Sequence, residues 1–172
     1  MLTGSLAAAF YGVPRATQDV DVVIDPRSPQ IDHLVDGLAE AGFYVSREAA
    51  HDAFRSSSQF NAIDPENGWK VDLIIRRNRP FSATEFARRT PATFLGIEVS
   101  VPRLEDLILA KLEWSQLGDS ELQRRDIAEL LDAHWVLIDQ AYLEQWVERL
   151  GLESVWKVVA AKRGDGGAHG PA

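Results

Sequence analysis

Three aspartates stand where their side chains could share one site. Asp19 and Asp21 are two residues apart at the start of an apolar segment rich in β-branched residues, so on a strand both side chains project from the same face. Asp72 lies inside a second apolar segment, where a charge is unexpected without a partner. Because neighbouring carboxylates repel each other, a divalent cation between them is stabilising. If the two segments pair, the residues predict a site for a hard cation, Mg²⁺ or Mn²⁺.

Each of these residues also has a plain structural explanation. Asp19 could end a loop, Asp21 could cap a strand and Asp72 could pair with an arginine, as surface aspartates commonly do. Gly4-Ser5 is also ambiguous, because the free amides of a helix start suit a triphosphate but such a pair usually only begins a helix. The occurrence of the three aspartates together with the Gly-Ser pair favours a functional site.

Composition restricts the function classes further. The 172 residues include no cysteine, which excludes disulfides and thiolate zinc sites, and the four histidines lack the spacing of a helical metal site. A net charge of −8 argues against broad adhesion to nucleic acid or to anionic membranes. An arginine-rich stretch at residues 76–89 could still be an acceptor or triphosphate surface, or simply a solvated loop. Since no signal peptide or membrane-spanning run is evident, we expect a cytoplasmic protein with no membrane partner.

The elements that position the aspartates are predicted to form two parts. Up to Pro102 the chain alternates helical and strand patterns, and after it only helical spacing recurs. The predicted helices of the first part are 6–11 and 31–39, and the predicted strands are 20–25, 43–45, 57–63 and 70–75. Residues 94–101 are predicted to add a last short strand or a hairpin interrupted by Gly96. The fold class is therefore α/β (α+β): a mixed β-sheet flanked by helices, with a C-terminal helical part. Strand 70–75 is expected to run antiparallel to the strand before it.

Taken together, these motifs resemble the signature of the nucleotidyltransferase superfamily related to DNA polymerase β. That signature is a Gly-Gly or Gly-Ser pair at a helix start, a spacer, Asp-x-Asp or Asp-x-Glu, and a third carboxylate on a nearby strand. Here it corresponds to Gly4-Ser5, Asp19-Val20-Asp21 and Asp72. Residues 2–21 look closer still to the minimal bacterial branch that includes the AbiEii-type toxins. The resemblance covers most of residues 1–135.

The resemblance implies transfer of a nucleoside monophosphate from a nucleoside triphosphate to an acceptor hydroxyl, with Mg²⁺ or Mn²⁺ on the three aspartates. It implies that Gly4 and Ser5 bind the nucleotide. Arg15 and Thr17 lie just before the aspartates and are assigned to the same site, although they could equally serve only to stabilise the loop.

In the helical part, Leu109-Ala110-Lys111-Leu112 and Arg124-Arg125-Asp126-Ile127 are similar to the branch's lysine and Arg-Asp motifs. The resemblance implies that Lys111 contacts the nucleotide phosphates and that Arg125 and Asp126 support the site. The structural alternatives are a helix lysine that extends along the surface and a surface ion pair.

These expectations give a catalytic core at residues 1–102, a helical part at 103–163 packed on the core, and a disordered tail at 164–172. The acceptor is left open. It could be RNA or protein in a toxin–antitoxin setting, with an antitoxin as partner, or a small molecule such as an antibiotic; a non-catalytic relative that only binds a partner is the third alternative. Relatives have residues ahead of the Gly-Ser motif, whereas here it follows three residues, so we expect the first helix to lie near a fraying terminus.

Overall fold

The computed structural model of the protein describes residues 1–165, and it separates into two compact units. The first unit contains Met1–Ala7 and Pro14–Pro102. The second contains Ala8–Val13 and the chain from Arg103 onward. Helix α1, Gly4–Phe10, contributes residues to both units.

The first unit contains a four-stranded mixed sheet and a separate two-stranded hairpin. Strand order in the larger sheet is β1-β4-β3-β2, in which β1 and β4 are parallel and the other neighbours are antiparallel. The elements are β1 (Asp19–Ile24), α2 (Ser28–Glu40), β2 (Tyr44–Val45), α3 (Arg47–Ser56), β3 (Gln59–Ile63), β4 (Lys70–Ile75), α4 (Pro80–Arg88), β5 (Thr90–Phe94) and β6 (Ile97–Val101). The predicted mixed sheet is confirmed, including the neighbouring strands 20–25 and 70–75.

One face of the four-stranded sheet is buried against helices α2 and α3. Because side chains alternate along a strand, every second residue of β3 and β4 points into this core. Its buried members are Ile31, Val35, Ala50, Ala53, Phe60, Ala62, Leu73 and Ile75. The polar side chains of β1 and β4 lie on the opposite face of the sheet.

Helices α3 and α4 were not predicted from the sequence. The buried side of α3 consists of the small residues Ala50 and Ala53, which give no strong apolar periodicity. Its start is nevertheless well defined, because Ser46 Oγ accepts a hydrogen bond from the Ala49 N–H at 3.2 Å. Helix α3 ends at Ser56, and the strand predicted at 57–63 therefore begins only at Gln59.

The second unit is helical, as expected after Pro102. Its elements from Arg103 onward are α5 (Leu104–Gly118), α6 (Glu121–His134), a short 3₁₀ helix (Trp135–Leu137), α7 (Gln140–Leu150) and α8 (Glu153–Asp165). Ser120 and Asp139 cap the starts of α6 and α7 with their side chains. Helix α8 extends two residues into the predicted tail, and residues 166–172 lie outside the described residues. None of the helices within residues 1–165 has the length and apolar character needed to span a bilayer.

The sheet core predicts a large cost for truncating Leu73, which is 5% exposed. Leu73→Ala should lower the free energy of unfolding by about 2–5 kcal/mol, because it removes buried apolar atoms and leaves a cavity. Leu117→Ala is the matched control, since Leu117 is 70% exposed and its truncation should change stability by less than about 0.5 kcal/mol. Urea denaturation of both variants measures the difference, and equal stabilities would contradict this description of the core.

Candidate active site

The parallel pairing of β1 and β4 places the three aspartates on one face of the sheet. In the register of these strands Asp21 is opposite Asp72, and Asp19 is opposite Lys70. Opposite residues of paired strands share a face, and neighbouring strands are about 4.8 Å apart. The sequence-predicted carboxylates therefore lie at adjacent positions, together with a lysine that sequence reasoning did not single out. We call Asp19, Asp21, Lys70 and Asp72 the carboxylate face.

Lys70 forms ion pairs with two of the three carboxylates. Its Nζ lies 3.0 Å from Asp72 Oδ2 and 3.3 Å from Asp19 Oδ1. The hydrogen bond that Lys70 donates to the Asp72 carboxylate raises the pKa of Lys70, with burial acting in the opposite direction, so the ammonium is charged at neutral pH. The spacing Lys70-x-Asp72 on a strand was the available sequence signal, because it puts both side chains on the same face.

Asp21 packs directly against the start of helix α1. A Cβ atom added to Gly4 would lie 1.9 Å from Asp21 Oδ2 and 2.7 Å from its Cγ, so only glycine leaves room for this carboxylate. Gly4 also has φ +61°, a left-handed conformation that favours glycine. Ser5 follows in the first turn and is buried. The Gly-Ser pair and the Asp-x-Asp motif are thus neighbours in space.

Residues 1–3 are held against the sheet, in contrast to the fraying that the sequence suggested for this end. Leu2 forms an antiparallel bridge with Val22 of β1, and the Thr3 N–H donates to the Asp21 carbonyl at 2.9 Å. The Leu2 N–H donates to the Ser100 carbonyl at 2.7 Å. These bonds fix the approach of α1 to Asp21.

Arg15 and Thr17 lie in the loop that enters β1. Thr17 Oγ1 accepts a hydrogen bond from the Asp19 N–H at 3.0 Å and lies 3.3 Å from the Asp19 carbonyl, to which it donates. This pair of hydrogen bonds agrees with the alternative in which Thr17 stabilises the loop. Arg15 is partly buried in the same loop. A nucleotide contact by either residue stays a prediction.

Lys111, Arg125 and Asp126 belong to the second unit. Lys111 Nζ donates to Asp126 Oδ2 at 2.8 Å and to Gln123 Oε1 at 3.0 Å, and the Lys111 and Asp126 side chains are only 3% and 4% exposed. Arg125 is exposed and pairs with Glu129 one turn further along α6. The Lys111–Asp126 pair is therefore a buried link between α5 and α6, and phosphate binding by Lys111 stays a prediction.

The arginine-rich stretch lies beyond the opposite end of β4 from Asp72. Arg76 pairs with Asp25 at 2.9 Å, and Arg79 donates to Ser82 Oγ at 3.0 Å. Arg89 stacks over the Phe86 ring at 4.1 Å. Arg76 is four positions after Asp72, which corresponds to about 13 Å along an extended chain. Binding of a triphosphate or an acceptor by these arginines stays a prediction.

The carboxylate face suits a hard divalent cation in the chemistry of its donors. Mg²⁺ and Mn²⁺ prefer carboxylate oxygens, and three carboxylates stand at adjacent positions. Within residues 1–165, however, no three or more His, Cys, Asp or Glu side chains are grouped as ready metal ligands. The ammonium of Lys70 instead lies against two of the three aspartates. The residues fit such an ion if it shares the face with Lys70.

Among solved structures, the chain is similar to an antigenic nucleotidyltransferase-like protein from Paracoccidioides brasiliensis. The TM-score is 0.54 at 20% sequence identity, and the match covers 91% of this chain and 83% of that chain. At this identity the likeness shows a nucleotidyltransferase-like fold. No protein-family model and no curated protein matches the chain. The narrower resemblance to AbiEii-type toxins stays a prediction.

The contact between Gly4 and Asp21 predicts that Gly4→Ala is more damaging than the same change at Gly12. Both glycines have positive φ, but nothing lies within 4 Å of a Cβ at Gly12. Gly12→Ala should cost about 1–2 kcal/mol for the left-handed backbone alone. Gly4→Ala should cost about 1–3 kcal/mol more, because Asp21 must also move. Equal losses of stability in chemical denaturation would show that Asp21 does not need this space.

The buried ion pair of the second unit predicts that Lys111→Met lowers stability by about 3–5 kcal/mol, because it removes the buried ammonium that balances the charge of Asp126. The double variant Lys111→Met with Asp126→Leu should recover much of this loss. Arg125→Ala, which removes only an exposed helix pair, should cost no more than about 0.5 kcal/mol. A Lys111→Met protein as stable as the parent would contradict the structural role. Nucleotide affinity of a folded Lys111 variant tests the predicted phosphate contact.

Proposed function

We propose that the protein is a metal-dependent nucleotidyltransferase that transfers a nucleoside monophosphate from a nucleoside triphosphate to an acceptor hydroxyl. The observation that supports this most is the carboxylate face itself. Asp19, Asp21 and Asp72 occupy adjacent positions on neighbouring strands, and Asp21 packs against Gly4 at the start of α1. The nucleotidyltransferase-like fold agrees with this assignment.

In the proposed reaction the acceptor oxygen attacks the α-phosphorus of the triphosphate. The bond between that phosphorus and the oxygen bridging to the β-phosphate breaks, and pyrophosphate leaves with the bonding electron pair. The proton of the hydroxyl passes to Asp72, the most buried of the three carboxylates. Gly4 and Ser5 contact the triphosphate in this proposal, because they adjoin Asp21.

Asp19 and Asp21 would hold Mg²⁺ or Mn²⁺ in this proposal. The ion, when bound, supplies positive charge that neutralises the triphosphate and the developing pyrophosphate. The two aspartates orient that charge because the strand fixes their backbone and Thr17 fixes the entry into it. Amide side chains could not replace the two aspartates, because amide oxygens carry no negative charge to balance the charge of the cation.

The acceptor separates the remaining alternatives. RNA or protein would place the enzyme in a toxin–antitoxin setting with an antitoxin partner, and an antibiotic-type small molecule would make it a modifying enzyme. The engagement of Asp19 and Asp72 by Lys70 is the observation that favours the third alternative, a non-catalytic relative. Transfer assays distinguish all three.

The test is to incubate the protein with Mg²⁺, a cell extract and each nucleoside triphosphate labelled in turn at the α- or the γ-phosphate. Nucleotidyl transfer should deposit the α-label on a product and leave the γ-label in pyrophosphate. Digestion of the product with ribonuclease or protease then identifies RNA, protein or small-molecule acceptors. Transfer of the γ-label would indicate a kinase, and no transfer with any nucleotide would favour the non-catalytic alternative.

Asp21→Asn should abolish transfer of the α-label and leave stability without metal unchanged or slightly higher. The substitution removes a ligand of the cation and also one of three mutually repelling charges. Asp25→Asn is the matched control, because Asp25 directly follows the last residue of β1 and pairs with Arg76, away from the carboxylate face. That variant should keep activity and lose less than about 1 kcal/mol of stability. If the Asp21→Asn protein still transferred the α-label, the proposed catalytic role of Asp21 would be wrong.

A further inference from the structure

Lys70 stands at a place on the carboxylate face that a second metal ion would need. Its ammonium touches one oxygen of Asp19 and one of Asp72, and these two residues come from different strands. A Mg²⁺ ion bound to the same two oxygens would have to lie about 2.1 Å from each of them. An ion and an ammonium cannot both do so, because they would overlap and repel each other.

The position of Lys70 is fixed by the strand that carries it. Lys70 is the first residue of β4, its N–H donates to the Gln18 carbonyl at 3.0 Å, and Asp19 is its register partner. Its side chain is 36% exposed, so burial alone does not hold the ammonium against the carboxylates. The attraction of two carboxylates holds it, whereas Arg76 at the far end of β4 meets the single carboxylate of Asp25.

Resting on the proposed nucleotidyltransferase function, we propose that Lys70 is a built-in cation that takes the place between Asp19 and Asp72 and limits the carboxylate face to one divalent ion. That ion is held by Asp21 together with Asp19. Lys70 is then a determinant of metal stoichiometry, and the charge of its ammonium does part of the neutralisation that a second ion would provide.

The test counts Mn²⁺ ions bound per chain, from the loss of the free-ion electron paramagnetic resonance signal, in the parent and in Lys70 variants. The parent should bind one ion on this face. Lys70→Gln should bind two, with the first bound at least roughly fivefold more tightly, since one unit charge about 4 Å away is worth that much even in water. Lys70→Arg, which keeps the charge, should bind one ion like the parent. Lys70→Met provides a second neutral variant, and thermal melts confirm that each is folded.

Two ions in the parent, or the same count and affinity in the parent, Lys70→Gln and Lys70→Met, would overturn the role of Lys70. The transfer assay with α-labelled nucleotide, run on the same proteins, tests the proposed function separately. If the parent transfers the α-label and all variants bind the same number of ions, the proposed role of Lys70 is wrong and the proposed function stands. The predicted counts without any transfer support the cation and reject the function.

Discussion

Repulsion among three carboxylates on one face of a small sheet is the constraint on which the rest of the site depends. Asp19, Asp21 and Asp72 are brought together by the parallel pairing of β1 and β4, which is also the pairing that completes the sheet. Folding therefore concentrates negative charge at this place, and something positive must offset it. In the protein alone Lys70 does so for Asp19 and Asp72. The proposed cation and triphosphate add to an electrostatic arrangement that is already present.

One face of the sheet stabilises the fold, and the other face carries the carboxylates of the proposed site. The apolar face of β3 and β4 packs against α2 and α3 and holds the strands in register. Because the side chains alternate, the same register aligns the carboxylates on the other face. A slip of one residue would bury charge and expose Leu73. The core thus maintains the strand register that sets the spacing of the aspartates.

Much of this arrangement could be predicted from the sequence, because it follows from local patterns. The two β-branched segments, the Asp-x-Asp spacing and the change to helical periodicity after Pro102 each identify an element directly. Helix α3 was missed because its buried residues are alanines, which carry little periodic signal. The Lys70-x-Asp72 spacing was readable from the sequence, but the contact of Lys70 with Asp19 depends on which residue of β1 lies opposite, and that register is a property of the folded sheet. The burial of Lys111 with Asp126 likewise required the packing of α5 and α6.

In the proposed function, the nucleotide and its cation bind at the carboxylate face. A crystal structure with Mn²⁺ and a non-hydrolysable nucleoside triphosphate analogue tests it most directly, because the anomalous signal of manganese locates the ion independently of the phosphates. We expect an anomalous peak coordinated by Asp21 and Asp19, with the triphosphate beside Gly4 and the α-phosphate facing Asp72. A triphosphate bound at the arginines after β4, with no manganese on the three aspartates, would contradict it.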